Sequence, residues 1–79
     1  MRAPEWDDSG PEPIYRQVAD YVAAQIADGT LAPGAKLPAE RDLAEQWGVA
    51  YLTVRRAMRE LRERGLIVTT QGRGTYVAK

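Results

Sequence analysis

The chain is 79 residues long, has no Cys and no His, and balances 11 Lys and Arg against 11 Asp and Glu. A chain this short makes one small domain, and it has neither a disulfide nor a zinc site to reinforce its core. The same absence removes most nucleophile–base pairs, and no phosphate-binding loop or paired carboxylates stand in for them, so no enzyme, cofactor or metal centre is expected. No stretch approaches the ~18 apolar residues that span a membrane, and the first six residues hold no apolar signal segment, so a soluble cytoplasmic domain is expected.

Residues 1–12 hold Pro4, Gly10 and Pro11 among Glu5, Asp7, Asp8 and Glu12, with Arg2 the one cation, a net charge of −3. They lack periodicity and read as a disordered acidic tail, free to lie over a basic face elsewhere. The ordered domain is expected over residues 13–79. Ile14, Val18, Tyr21, Val22 and Ile26 recur at helical spacing, which predicts a first helix over 13–28 with Pro13 in its first turn and Gly29 at its end. Pro33-Gly34 fits a type II turn, and Leu37 reads as a short extended residue. Pro38 is expected to open a second helix, with Glu40 and Asp42 near its positive pole, Leu43, Ala44 and Trp47 as its apolar side, and Gly48 as its stop.

A third helix is predicted over 50–64, with Val54, Ala57, Met58 and Leu61 at i, i+3, i+4 and i+7 as its core stripe. Gly65 closes it. Residues 66–70 and 75–77 are β-prone and flank Gln71-Gly-Arg-Gly74, which predicts a hairpin. The order is helix, helix, tight turn, helix, hairpin. The fold class expected from it is mainly α with a small β-hairpin: a winged helix-turn-helix of three helices plus a two-stranded wing.

From residue 50 onward, Arg55, Arg56, Arg59, Arg62, Arg64, Arg73 and Lys79 face only Glu60 and Glu63, a net +5. At about 100° per residue, Arg55, Arg56 and Arg59 turn away from the core stripe and Arg62 lies on its flank. An arginine stripe suits a major-groove reader, because Arg pairs bidentately with guanine or neutralises a phosphate. It also suits an ordinary solvated face, with Glu60 pairing Arg56 or Arg64 and Glu63 pairing Arg59. Leu52 sits among the arginines with no core rationale, and a thymine methyl is one contact open to it. Arg73, between Gly72 and Gly74, is placed to enter a minor groove. The combined pattern points to double-stranded DNA. The competing reading is a protein–protein module that keeps the fold and has weak or lost DNA binding, with Tyr51, Leu52 and the arginines as its contact patch.

Pro13-Ile-Tyr-Arg-Gln-Val18, Gly29-Thr-Leu-Ala-Pro-Gly-Ala-Lys-Leu-Pro-Ala-Glu-Arg-Asp-Leu-Ala44, Gly48-Val49, Thr53-Val-Arg-Arg-Ala-Met58, Leu61, Arg64-Gly-Leu-Ile67 and Gly72-Arg-Gly-Thr75 resemble the DNA-binding domain of the GntR family of bacterial transcription regulators, closest to its HutC-like branch. The resemblance implies a winged helix-turn-helix that binds palindromic operators as a dimer and usually represses. It implies DNA contacts at Arg41, Thr53, Arg55 and Gly72, with Arg73 beside the last, and a structural role for Glu40. The chain departs from the family's usual Ser, Arg and Thr at Ala50, Tyr51 and Leu52, which removes a side-chain N-cap worth ~1 kcal/mol and favours a more apolar, thymine-leaning readout. On both grounds the expected DNA-contact set is Arg41, Tyr51, Leu52, Thr53, Arg55, Arg56, Arg59, Gly72 and Arg73. The family's usual C-terminal effector domain has no counterpart before Lys79, so this stretch is a stand-alone module or an excised domain. Homodimerisation would rest on this small surface or on DNA itself, and no small-molecule effector site is expected within the stretch.

Overall fold

The computed structural model describes residues 4–79. Three helices and a hairpin follow in the expected order: α1 (Ile14–Ala27), α2 (Glu40–Trp47), α3 (Tyr51–Glu63), β1 (Ile67–Thr70) and β2 (Gly74–Val77). The apolar stripes meet at one core. Val18, Ala19 and Val22 come from α1, Leu43 and Trp47 from α2, and Val54, Ala57, Met58 and Leu61 from α3, while Leu37, Ile67 and Val77 close the remaining side. The sheltered stripe of α3 packs on α1, α2 and β1, which makes α3 the central element. Burying each large aliphatic side chain contributes roughly 1.5–3 kcal/mol, so the four inward residues of α3 hold its outward face in place.

The helix starts differ slightly from the sequence expectation. Pro13 is the N-cap of α1, not a residue of its first turn. Pro38 lies outside α2, whose N-cap Ala39 stays extended before Glu40 begins the helix. Gly48 ends α2 at φ 64 and ψ 36, a left-handed conformation that costs other residues ~1–2 kcal/mol, and α3 starts three residues later. Ala50 is the N-cap of α3 and gives it no side-chain hydrogen bond, as the loss of the usual Ser implies.

The wing is an antiparallel pair in the register Ile67↔Val77, Val68↔Tyr76, Thr69↔Thr75 and Thr70↔Gly74. Its turn is closed by the Arg73 N–H donating to the Thr70 carbonyl at 3.0 Å. A feature that the sequence reading did not assign ties the wing to the rest. Residues 34–37 run along the other edge of β2: Gly34 N–H donates to Val77 O, Val77 N–H to Ala35 O, and Leu37 N–H to Thr75 O, at 2.9, 2.8 and 2.8 Å. Leu37 is extended as expected, but it is one rung of a short third strand-like segment.

Residues 1–3 of the expected disordered tail lie outside the described residues. Residues 4–12 form no helix or strand, yet they lie against the helices as a strap. Trp6 Nε1 donates to the Trp47 carbonyl at 2.8 Å, and its ring meets Tyr21 edge-on at a centroid distance of 5.7 Å. Gln17 of α1 accepts from the Asp7 N–H and donates to the Asp7 and Glu12 carbonyls. Trp6 and Gln17 hold these residues against α1 and the end of α2, and Asp8 lines a depression with Gly48, Val49 and Ala50 of the α2–α3 turn.

Candidate nucleic-acid interface

The outward side of α3 divides its arginines among different tasks. Arg56 turns toward α1, where its guanidinium lies 4.2 Å from the centre of the Tyr15 ring. Arg64 reaches the same helix, pairing with Asp20 at 2.9 Å and with Glu60 at 2.9 Å. Glu60, then Asp20, hold the Arg64 guanidinium above its ordinary value. Of the two partners expected for Glu60, the structure selects Arg64. Arg62 leans the other way and donates to Thr69 Oγ1 at 3.0 Å, bracing α3 against the wing.

Arg55 and Arg59 stay on the open face, exposed. Arg55 Nε lies 3.9 Å from Glu40 Oε1 at the start of α2. That placement gives Glu40 the partner role that its motif implied. Tyr51, in the first turn of α3, sits between two guanidiniums, with Arg41 Cζ and Arg55 Cζ each 5.9 Å from its ring centre. Arg41 belongs to α2 and Arg55 to α3, so Tyr51 joins the two helices through an aromatic face that attracts cations. The distances are at the long end for such contacts, and both arginines are exposed.

Leu52 projects outward, with 67% of its surface exposed, the most of the large hydrophobics among the described residues. Thr53 points elsewhere. It is half-buried and lines a depression with Trp6, Asp8, Ile14 and Ala50 on the α1 side. The expected contact residues therefore do not form one patch. Arg41, Tyr51, Leu52 and Arg55 lie on the open face, Arg56 and Thr53 lie on the flank toward α1, and Arg59, exposed, lines a depression with Arg56 and Tyr15 of α1.

The wing extends this face. Gly72 and Arg73 are exposed at its tip. Between the tip, the start of α2 and α3 runs a shallow groove lined by Lys36, Pro38, Glu40, Thr69, Arg73 and Thr75. Lys36 is a cation that the sequence reading did not select. Its stem crosses Gly74, where an added Cβ would lie 2.9 Å from Lys36 Cε. No signal in the sequence marks it, because backbone hydrogen bonds alone bring residues 34–37 to the wing. Among the described residues there is no group of three or more acidic, Cys or His side chains placed to hold a metal ion. No helix among them is long and apolar enough to cross a membrane.

A second helix, a left-handed glycine turn, a third helix with a cationic outer face and a hairpin braced beside it define a winged helix-turn-helix domain of the DNA-binding regulator class. The chain belongs to the family described as "Bacterial regulatory proteins, gntR family", whose profile matches residues 14–77. It is 48% identical over 68 residues to the mannosyl-D-glycerate transport/metabolism system repressor MngR of Escherichia coli K12, a match covering 86% of this chain and 28% of that protein. It is 39% identical over 71 residues to the histidine utilization repressor of Klebsiella aerogenes, covering 90% of this chain and 30% of that protein. Among solved structures, AraR(DBD) in complex with operator ORX1 superposes with a TM-score of 0.83 at 35% identity, covering 99% of this chain and 100% of that one. The chain spans less than a third of the length of these curated relatives.

Proposed function

We propose that this domain binds double-stranded operator DNA in a sequence-specific manner and acts in the cytoplasm, at the nucleoid, as the DNA-reading part of a transcriptional repressor. The observation that carries the reading is the face at the start of α3, where Arg55 and Arg41 of α2 flank the Tyr51 ring, and where Glu40, beside Arg55, lines the groove that reaches Arg73 of the wing. The likeness to a domain solved on its operator supports it. α3 has 13 residues, which gives a rod about 20 Å long and 10–12 Å across, a match to a major groove ~12 Å wide.

In this reading α3 enters the major groove, with Arg55 and Arg59 on base edges or phosphates. Arg41 and Tyr51 sit at its leading end, and Thr53 and Arg56 approach the flanking backbone. Gly72 lets the wing approach closely, Arg73 enters the adjacent minor groove, and Lys36 holds a phosphate at the groove between them. Two copies bind the two halves of a palindromic site, because a single domain of this size reads only a few base pairs. Ligand sensing, where the full-length regulator has it, resides outside this domain.

Selection from a pool of random duplexes tests this directly. The expected result is an enriched inverted repeat with half-sites spaced by a whole helical turn or a near fraction of it. A pool that stays unenriched, with no retention at low salt, overturns the DNA reading in favour of a protein partner.

A further inference from the structure

The first turn of α3 sends its three side chains in three directions. Tyr51 is engaged by the guanidiniums of Arg41 and Arg55. Thr53 is half-buried in the depression beside Trp6 and Ile14. Leu52 alone projects freely, 67% exposed, and it belongs neither to the core nor to the apolar residues packed around it. Its isobutyl group therefore does nothing for the fold.

Leu52, Arg55 and Arg59 stand at i, i+3 and i+7, which places them on one stripe of the helix. Whatever surface Arg55 and Arg59 meet, Leu52 meets too. In the major groove each base pair offers hydrogen-bonding groups, and the apolar group among them is the C5-methyl of thymine. A leucine set against a base edge without that methyl would strip water from polar atoms and return no hydrogen bond. On this basis, and resting on the DNA-binding reading above, we infer that Leu52 is a specificity-determining residue that reads the C5-methyl of one thymine in each half-site.

The placement of that thymine follows from the helix. Leu52 and Arg55 are about 4.5 Å apart along the axis, against about 3.4 Å per base step, so the thymine lies one or two base pairs from the base that Arg55 contacts. Arg55 favours guanine through its O6 and N7 acceptors. The reading step is then a thymine and a guanine adjacent or separated by one pair. Tyr51 acts beside it as a positioning residue, since its ring faces the guanidinium that reads the guanine.

The test uses the duplex enriched by selection, with each thymine replaced in turn by deoxyuridine, which removes the methyl and leaves the pairing edge intact. Each duplex is titrated with the wild-type chain and with Leu52→Ala, and both proteins are melted to establish that the exposed substitution leaves the fold unchanged. At one thymine per half-site, wild-type binding is expected to weaken about fourfold, the value of one buried methyl, and the response of Leu52→Ala at that position is expected to vanish. Wild-type affinity that is indifferent to every methyl overturns the inference, as does a variant that keeps the full response. In either case intact binding leaves the DNA-reading function standing. Absence of binding to any duplex removes that function and the inference with it.

Discussion

The guanidinium of Arg56 lies 4.2 Å from the centre of the Tyr15 ring, so an arginine next in sequence to Arg55 is committed to α1. At about 100° per residue, neighbours on a helix diverge by more than a quarter turn, and here that divergence separates an arginine left on the open face from one that braces α1. Arg56→Ala is expected to lower stability by about 0.5–1 kcal/mol, the worth of an exposed cation–π contact. Arg55→Ala is expected to cost less, because its contacts to Glu40 at 3.9 Å and to the Tyr51 ring at 5.9 Å are longer. The effects on a selected duplex should reverse in order, with Arg55→Ala weakening binding more than Arg56→Ala. Thermal melts and fluorescence anisotropy on the same samples check both halves.

The strap yields a second expectation. Trp6→Ala removes a hydrogen bond worth about 0.5–1.5 kcal/mol and an edge-on aromatic contact of similar size, so a loss of about 1–3 kcal/mol is expected. Truncation before Pro13 should lower the urea midpoint in the same way. A truncated chain as stable as the full one would contradict the docking of Trp6 on Tyr21 and Trp47.

Gly72 and Gly74 differ in what an added methyl would meet. Both have positive φ, 78 and 121 degrees, but space around Gly72 is open, whereas at Gly74 the Cβ meets the Lys36 stem. Gly72→Ala is expected to cost ~1–2 kcal/mol from backbone strain alone. Gly74→Ala is expected to carry a similar backbone penalty and to push aside only the flexible end of the Lys36 side chain. Thermal melts check the penalties, and amide exchange at Leu37 and Val77, the rungs that tie the wing to residues 34–37, is expected to show no opening peculiar to Gly74→Ala.

The pH response should be flat where most proteins respond to histidine. The chain has no His and no Cys. Asp7 and Asp28 are both held below the ordinary carboxylate value, Asp7 by hydrogen bonds from Ser9 and Asp28 by those from Thr30. Carboxylates with lowered folded-state pKa support the fold above their unfolded-state value and lose that support as pH falls through the folded one. The melting temperature is therefore expected to stay level between pH 5 and 7 and to decline below about pH 4, the ordinary Asp range. A maximum near pH 4 would contradict the direction of these shifts.

Much of the fold was legible because its signals are local. Val54, Ala57, Met58 and Leu61 mark α3 by spacing alone, and all four are buried. Gly48 marks the turn by its conformational freedom, and Gln71 to Gly74 mark the wing. Long-range contacts were not legible. The pairing of residues 34–37 with β2 depends on backbone groups that carry no sequence signature. Trp6 looked like one aromatic residue in a polar tail, and its partner is the carbonyl of Trp47, 41 residues away. The candidate interface divides in the same way. The arginine stripe could be read from periodicity, but the withdrawal of Arg56 to Tyr15 and of Arg64 to Asp20 depends on where α1 packs. Lys36 was missed because only the folded chain brings it to Arg73.

If the Arg55 face of α3 reads bases while the wing holds the backbone, the two roles separate in an anisotropy titration of the selected duplex and a scrambled duplex, across a series of salt concentrations, with wild type, Arg55→Ala and Arg73→Ala. Wild type should favour the selected duplex and weaken steeply with salt, each phosphate contact adding ~0.9 to the log–log slope. Arg55→Ala should lose roughly 1–3 kcal/mol, mostly on the selected duplex. Arg73→Ala should weaken both duplexes alike and flatten the slope by about 0.9 for each phosphate contact it removes. Wild-type binding that is equal on both duplexes and unchanged by Arg55→Ala would contradict the account.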